Sequence, residues 1–94
     1  MVDIEPPITL LSRRNCHLCD VARDILARVS RTAFVQWVER DVDTDDNLRY
    51  EYGDRVPVVL LRGVEHSFWR VNEARLLTDL LSLRTAVPRP ENRS

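Results

Sequence analysis

Cys16 and Cys19, the two cysteines of this chain, stand three residues apart as Cys16-His17-Leu18-Cys19. The short apolar run Ile8-Thr9-Leu10-Leu11 precedes them, and the clearest amphipathic pattern in the sequence follows. A C-x-x-C pair at a strand-to-helix junction sets one thiol at a helix N-terminus, where exposed N–H groups and the helix dipole favour a thiolate. The second thiol lies about one turn on, within reach of a disulfide, and the spacing suits reversible dithiol–disulfide exchange.

The elements around the pair are readable. Ile8 to Ser12 reads as a buried strand entering a polar loop. Leu18, Val21, Ala22, Ile25, Leu26 and Val29 then fall on one helical face, with Asp24 and Arg28 spaced for a pair on the other side. Phe34 to Val42 is rich in β-branched and aromatic residues and predicts a second strand. Thr44 is expected to cap a short helix over Asp45 to Tyr52, ended at Gly53. Val56 to Leu61 and Glu65 to Val71 flank Arg62-Gly63-Val64 and predict a hairpin. Asn72 is the expected N-cap of a last helix carrying Leu76, Leu77, Leu80 and Leu81 toward the core.

The first three elements form a βαβ unit, which requires parallel strands and a right-handed crossover. The hairpin adds antiparallel strands. The expected fold is α/β, a βαβαββα chain with a four-stranded mixed sheet and helices on both faces. Residues 1–7 are expected to be an N-terminal extension, 8–84 the domain and 85–94 a disordered, proline-bearing tail.

Composition bounds the function. With 94 residues the chain makes one small domain, and its net charge of −1 favours neither nucleic acid nor a membrane surface as partner. The acidic start, Met1-Val2-Asp3-Ile4-Glu5, lacks the charge and apolar pattern of a signal peptide, and no apolar run approaches the ~20 residues of a span. A cytoplasmic monomer is expected, and in that reducing compartment a lone cysteine pair is catalytic, redox-sensing or metal-bound rather than a permanent staple.

The element order, with C-x-x-C opening the first helix, resembles the thioredoxin superfamily in its minimal, glutaredoxin-like form. It is most similar to small bacterial glutaredoxin-like proteins, whose signature corresponds here to Leu10-Leu11-Ser12 with Cys16 and Cys19, Asp41-Val42-Asp43, and Tyr52-Gly53-Asp54-Arg55-Val56-Pro57-Val58. The resemblance spans residues 8 to 82. It implies a cis Val56–Pro57 bond beside Cys16, whereas frequencies alone favour trans. Because proline lacks an N–H, the polar groups of Val56 are expected to pair with an extended substrate.

On this reading Cys16 is the nucleophile and Cys19 the resolving thiol, while Val56, Pro57, Arg13, Arg14 and His17 form the substrate side. Arg13 and Arg14 precede the helix where glutaredoxins often carry a lysine, and His17 stands where they usually have proline. Lowering a thiol pKa from ~8.5 to ~6.5 raises the thiolate fraction about 25-fold at neutral pH but weakens nucleophilicity about 8-fold, so the net gain is several-fold. Leu18 is expected under the helix, Trp37 and Trp69 in a core or over the sheet, and His66 facing solvent. Asp41, Asp43, Asp45 and Asp46 mark a strand end and a helix start rather than a metal site.

The implied activity is reduction of protein or mixed disulfides, with a disulfide-bearing protein or small thiol as partner. No tightly bound cofactor is expected. The electron donor is glutathione, another low-molecular-weight thiol or a thioredoxin-type reductase. Glutathione is the least favoured, because Val71-Asn72-Glu73-Ala74 replaces the Gly-Gly pair that glutaredoxins place before the last helix, and Glu73 opposes an anion. Two alternatives use the same cysteines: an iron–sulfur or metal module, and a non-catalytic redox sensor or adaptor.

Overall fold

Strand β1 (Ile8–Ser12) is almost wholly buried and forms the centre of the molecule. A computed structural model describes residues 6–85. After β1 come α1 (His17–Ala33), β2 (Trp37–Asp41), a 3-10 turn over Val42–Thr44, α2 (Asp46–Tyr52), a second 3-10 turn over Gly53–Arg55, β3 (Val58–Leu61), β4 (Val64–Phe68) and α3 (Glu73–Thr85). The sheet order is β2-β1-β3-β4. β1 runs parallel to β2 and antiparallel to β3, and β3 runs antiparallel to β4.

Side chains alternate across this sheet because strand residues point to opposite faces in turn. Ile8 and Leu10 of β1 and Val59 of β3 join Ala22, Leu26, Val29 and Ala33 of α1 and Leu76 and Leu80 of α3 in the larger core. Leu11 and Val58, one step along, turn to the other face and meet Val42, with Leu48 and Tyr52 of α2 packed against them. The expected mixed sheet with helices on both faces is the fold observed.

The boundaries differ in instructive ways. β2 begins at Trp37, not Phe34, because Phe34 takes a left-handed conformation (φ 56°) that ends α1, its N–H donating to the Ser30 carbonyl. Asp45, not Thr44, caps α2, accepting the N–H groups of Asn47 and Leu48 at 2.8 and 3.2 Å. Gly53 is right-handed (φ −54°) and continues into a second turn rather than stopping the chain. β3 therefore starts at Val58 and not Val56, and β4 ends at Phe68. Asn72 does cap α3, its side-chain oxygen accepting the Arg75 N–H at 3.0 Å.

Two expected surface placements change. Arg28 reaches not Asp24 but Glu73 on α3, with contacts of 3.0 and 3.2 Å that tie the two helices together. His66 does not face solvent. A register irregularity between the partners of Val59 and Leu60 leaves it out of the β3–β4 pairing. Its side chain is 7% exposed, and Nε2 lies 2.7 Å from Asp79 Oδ2 of α3. Residues 1–5 and 86–94, which hold most of the expected extension and tail, lie outside the described residues, while α3 carries helix through Thr85. Among the described residues no helix is long and apolar enough to cross a membrane.

Candidate functional site

β1 delivers the chain to the loop Arg13–Asn15, and Asn15 in the left-handed region (φ 57°) turns it into α1. Asparagine tolerates that conformation better than most residues. Cys16, extended at φ −113° and ψ 104°, is the N-cap. Its Sγ accepts the Cys19 N–H at 3.1 Å, so the sulfur itself takes the place of a capping oxygen. Its carbonyl accepts the N–H groups of Cys19 and Asp20 at 3.1 and 3.3 Å. The sulfur thus stands at the positive end of a 17-residue helix.

Cys16 and Cys19 are joined as a disulfide, their Cα atoms 5.1 Å apart. Their surroundings are unequal. Cys16 is partly exposed, whereas Cys19 is fully buried. A thiol or disulfide arriving from solvent meets Cys16 first.

The antiparallel register of Leu11 with Val58 sets Pro57 abreast of Ser12, at the root of the cysteine loop. The Val56–Pro57 bond is cis, as the family resemblance implies and frequency alone does not. Val56 is extended (φ −64°, ψ 146°). Pro57 is buried, and its carbonyl accepts the Trp69 N–H at 2.8 Å.

The other residues of the expected substrate side divide. Arg14 and His17 are exposed, and neither side chain has a hydrogen-bond or ion-pair partner among the described residues. Arg13 instead turns inward along the surface. Its Nε and Nη2 donate to the two carboxylate oxygens of Asp43 at 3.1 and 3.0 Å, and Nη1 donates to the Gly53 carbonyl at 3.1 Å. The hydrogen bonds from Arg13 hold the Asp43 carboxyl below the ordinary range, with smaller help from the charges of Arg49 and Arg14.

The neighbouring acidic residues have structural duties. Asp41 accepts the Asp43 N–H at 2.8 Å, Asp45 caps α2, and Asp46 pairs with Arg49 at 2.6 Å. Among the described residues no group of three or more His, Cys, Asp or Glu is placed to hold a metal ion. Glu39 on β2 accepts the Ser12 hydroxyl at 2.6 Å and the Arg23 guanidinium at 2.7 to 3.0 Å. Arg23, then Ser12, hold its carboxyl below the usual value against the opposing effect of burial. Glu73 is likewise held low by Arg28, so the carboxylate at the start of α3 is already neutralised.

A groove of about 200 Å³ beside the cysteines is lined by Leu18, Val21, Ile25, Trp69, Arg70 and Val71, among others. Leu18 does not pack under the helix but is 36% exposed, and Trp69 is 52% exposed rather than in the core. Trp69 adopts φ 65°, and Phe68 meets it edge-on with ring centroids 5.1 Å apart. Sequence reasoning missed this surface. A weak signal existed at 100° per residue: the six apolar positions of α1 span about 140°, whereas the buried trio Ala22, Leu26 and Val29 fills only about 60°. Val21 lies at the uncovered edge. For Trp69 no local signal exists, since its position depends on the contact with Pro57.

Comparison with known proteins agrees with this geometry. Residues 7–81 match the glutaredoxin-like domain family (DUF836). The uncharacterized protein Rv0508 of Mycobacterium tuberculosis is 41% identical over 80 residues, covering 80% of this chain and 82% of its own. The X-ray structure of protein XcR50 from X. campestris superposes with a TM-score of 0.65 at 32% identity, covering 86% of this chain and 99% of that one. A thioredoxin mutant from Halobacterium salinarum matches in fold, with a TM-score of 0.61 at 21% identity over 86% of this chain and 76% of its own. With a C-x-x-C pair capping its first helix and a family match running almost from end to end of the described chain, this protein belongs to the glutaredoxin-like domain family.

Proposed function

We propose that the protein is a thiol–disulfide oxidoreductase that reduces protein or mixed disulfides. The observation that carries this reading is the inequality of the two cysteines: Cys16 caps the helix and is partly exposed, while Cys19 is buried one turn inside. In the reduced protein the Cys16 thiolate attacks one sulfur of the substrate disulfide. A new S–S bond forms, and the other substrate sulfur leaves as a thiolate with the electron pair. Cys19 then loses its proton, attacks the Cys16 sulfur and releases the second substrate thiol. The substrate gains two electrons, and the protein ends as the Cys16–Cys19 disulfide.

A low-molecular-weight thiol or a thioredoxin-type reductase returns the two electrons, in a reducing compartment such as the cytoplasm. The pairing of Glu73 with Arg28 removes one objection to an anionic thiol at the start of α3. The missing Gly-Gly pair still argues for a donor other than glutathione. Val56 and Pro57 flank the attacked disulfide, Arg14 and His17 line its solvent side, and the Leu18–Val21–Trp69 groove takes neighbouring apolar side chains.

Replacing each cysteine tests the roles. Cys16→Ser is expected to abolish disulfide reduction. Cys19→Ser is expected to form the mixed disulfide once and hold it, visible as a covalent adduct by intact-mass measurement. Full turnover by the Cys16→Ser protein would end this reading.

A further inference from the structure

Three stretches far apart in the chain meet at one guanidinium. Arg13 lies three residues before Cys16. Asp43, which receives its Nε and Nη2, lies in the turn after β2 and is itself fixed by the bond from its N–H to Asp41. Gly53, whose carbonyl receives Nη1, opens the turn that leads within three residues to Val56–Pro57. Gly53 is buried against the Arg13 and Arg49 side chains, a Cβ there standing 3.4 Å from Arg49 Cγ and 3.7 Å from Arg13 Nη1. Asp43 and Gly53 belong to the stretches Asp41-Val42-Asp43 and Tyr52-Gly53-Asp54-Arg55-Val56-Pro57-Val58 that carry the family resemblance, and Arg13 follows the third, Leu10-Leu11-Ser12.

An arginine this near a reactive sulfur invites the role of anion receptor, but all three nitrogens of Arg13 are engaged and Asp43 matches its charge. Arg14 next to it is exposed and makes no direct ion pair with a carboxylate among the described residues. A planar fork closed on both oxygens of one carboxylate fixes orientation as well as distance, which a point charge does not. Asp43 and the Gly53 carbonyl are therefore held in one frame with the loop that carries Cys16.

We propose that Arg13 is a positioning residue for disulfide reduction: it sets the place of the Val56–Pro57 step relative to Cys16, and hence of the bound substrate relative to the attacking sulfur. It does not itself bind the substrate. The proposal rests on the oxidoreductase reading above.

The test is single-turnover reduction by the pre-reduced protein of two peptide disulfides, identical except for an aspartate or a lysine beside the cysteine. Wild type, Arg13→Gln, Asp43→Asn and the double variant are compared, with thermal unfolding of each alongside. Arg13→Gln is expected to lower the maximal rate about ten-fold on both peptides, since small misplacements of reacting groups cost this much or more. Asp43→Asn is expected to lower it similarly, and the double variant no further, as for two residues acting through one contact. Arg13→Lys, which keeps the charge but not the fork, is expected to recover little of the loss.

A different pattern overturns the proposal. If Asp43→Asn is harmless and Arg13→Gln slows only the aspartate peptide, mainly through half-saturation, Arg13 is a substrate ligand. If the rate losses vanish once each variant is held well below its own unfolding temperature, its role is global stability alone. Should Arg13→Gln not fold, Asp43→Asn and Arg13→Lys carry the same comparison. Wild-type protein that reduces neither peptide removes the oxidoreductase reading and this proposal with it, whereas turnover insensitive to Arg13 and Asp43 removes this proposal only.

Discussion

The two faces of the sheet are held in different ways. On one, α1 and α3 bury nine side chains with the sheet in a continuous apolar core. On the other, the buried set is Leu11, Val42 and Val58, and α2 has no buried residue of its own. Polar geometry takes over where apolar area is scarce: Asp45 caps α2, Asp41 holds the Asp43 N–H, and Arg13 clasps Asp43 and Gly53. The thick face gives stability without regard to exact angles. The thin face gives little stability but fixes where the Val56–Pro57 step sits, because hydrogen bonds are directional and apolar contacts are not.

The sharpest test of that division removes one leucine from each side. Leu26→Ala is expected to cost about 3 kcal/mol, the usual range for a fully buried leucine. Leu48→Ala, half-buried on the thin face, is expected to cost about 1 kcal/mol, in proportion to the area it covers. Denaturant unfolding of the reduced proteins gives both values. Equal losses would show that the two faces share one core.

Acid provides the next test. Glu39, Asp43 and Glu73 all have folded-state pKa values held below their ordinary ones by arginines. Each contribution is thus complete above the unfolded value, about 4 for these groups, and is lost as pH falls through the lower folded value. Stability is expected to fall below about pH 4; although Glu39 and Glu73 pair with arginines of α1, the face that holds Asp43 has the smaller apolar core behind it and should open first. Amide exchange in α2 should then quicken at a pH where α1 remains protected. Simultaneous loss in both helices would contradict this. Glu39→Gln, on the α1 side, should lower stability by about 1 kcal/mol and flatten the acid limb.

The smallest effect concerns Gly53. Its φ of −54° suits any residue, and an added Cβ meets the Arg49 side chain at 3.4 Å, an ordinary contact. Gly53→Ala is expected to stabilise by about 0.5 kcal/mol through the unfolded chain. A clear destabilisation would mean that the clasp around Arg13 tolerates no crowding.

Legibility in the sequence follows the same line. The thick face announced itself because helical periodicity and strand alternation are local: Ala22, Leu26, Val29, Leu76 and Leu80 are buried as their spacing predicts. Asn72 could be read as a cap for the same reason, as could the placing of a thiol at the start of α1. Arg13's partners lie 30 and 40 residues away, so its role as a clasp was invisible, as was the Arg28–Glu73 pair across α1 and α3. The family resemblance supplied the cis Val56–Pro57 bond, which no local rule does. The exposure of Trp69 had no local signal and that of the α1 edge only the excess breadth of its apolar stripe, because apolar type predicts burial and the assembled surface shows where burial stops.

The irregular pairing at His66 bears on how copies of this protein meet one another. β4 is an outer strand, and such a strand offers a row of main-chain donors and acceptors on which another chain can align. The residue out of step breaks the regular spacing of that row. Arg75 also donates to the His66 carbonyl, occupying an acceptor that a docking strand would use. At the opposite margin, β2 presents the charged run Glu39-Arg40-Asp41. Both margins of the described sheet thus carry features that disfavour edge-to-edge pairing with another strand.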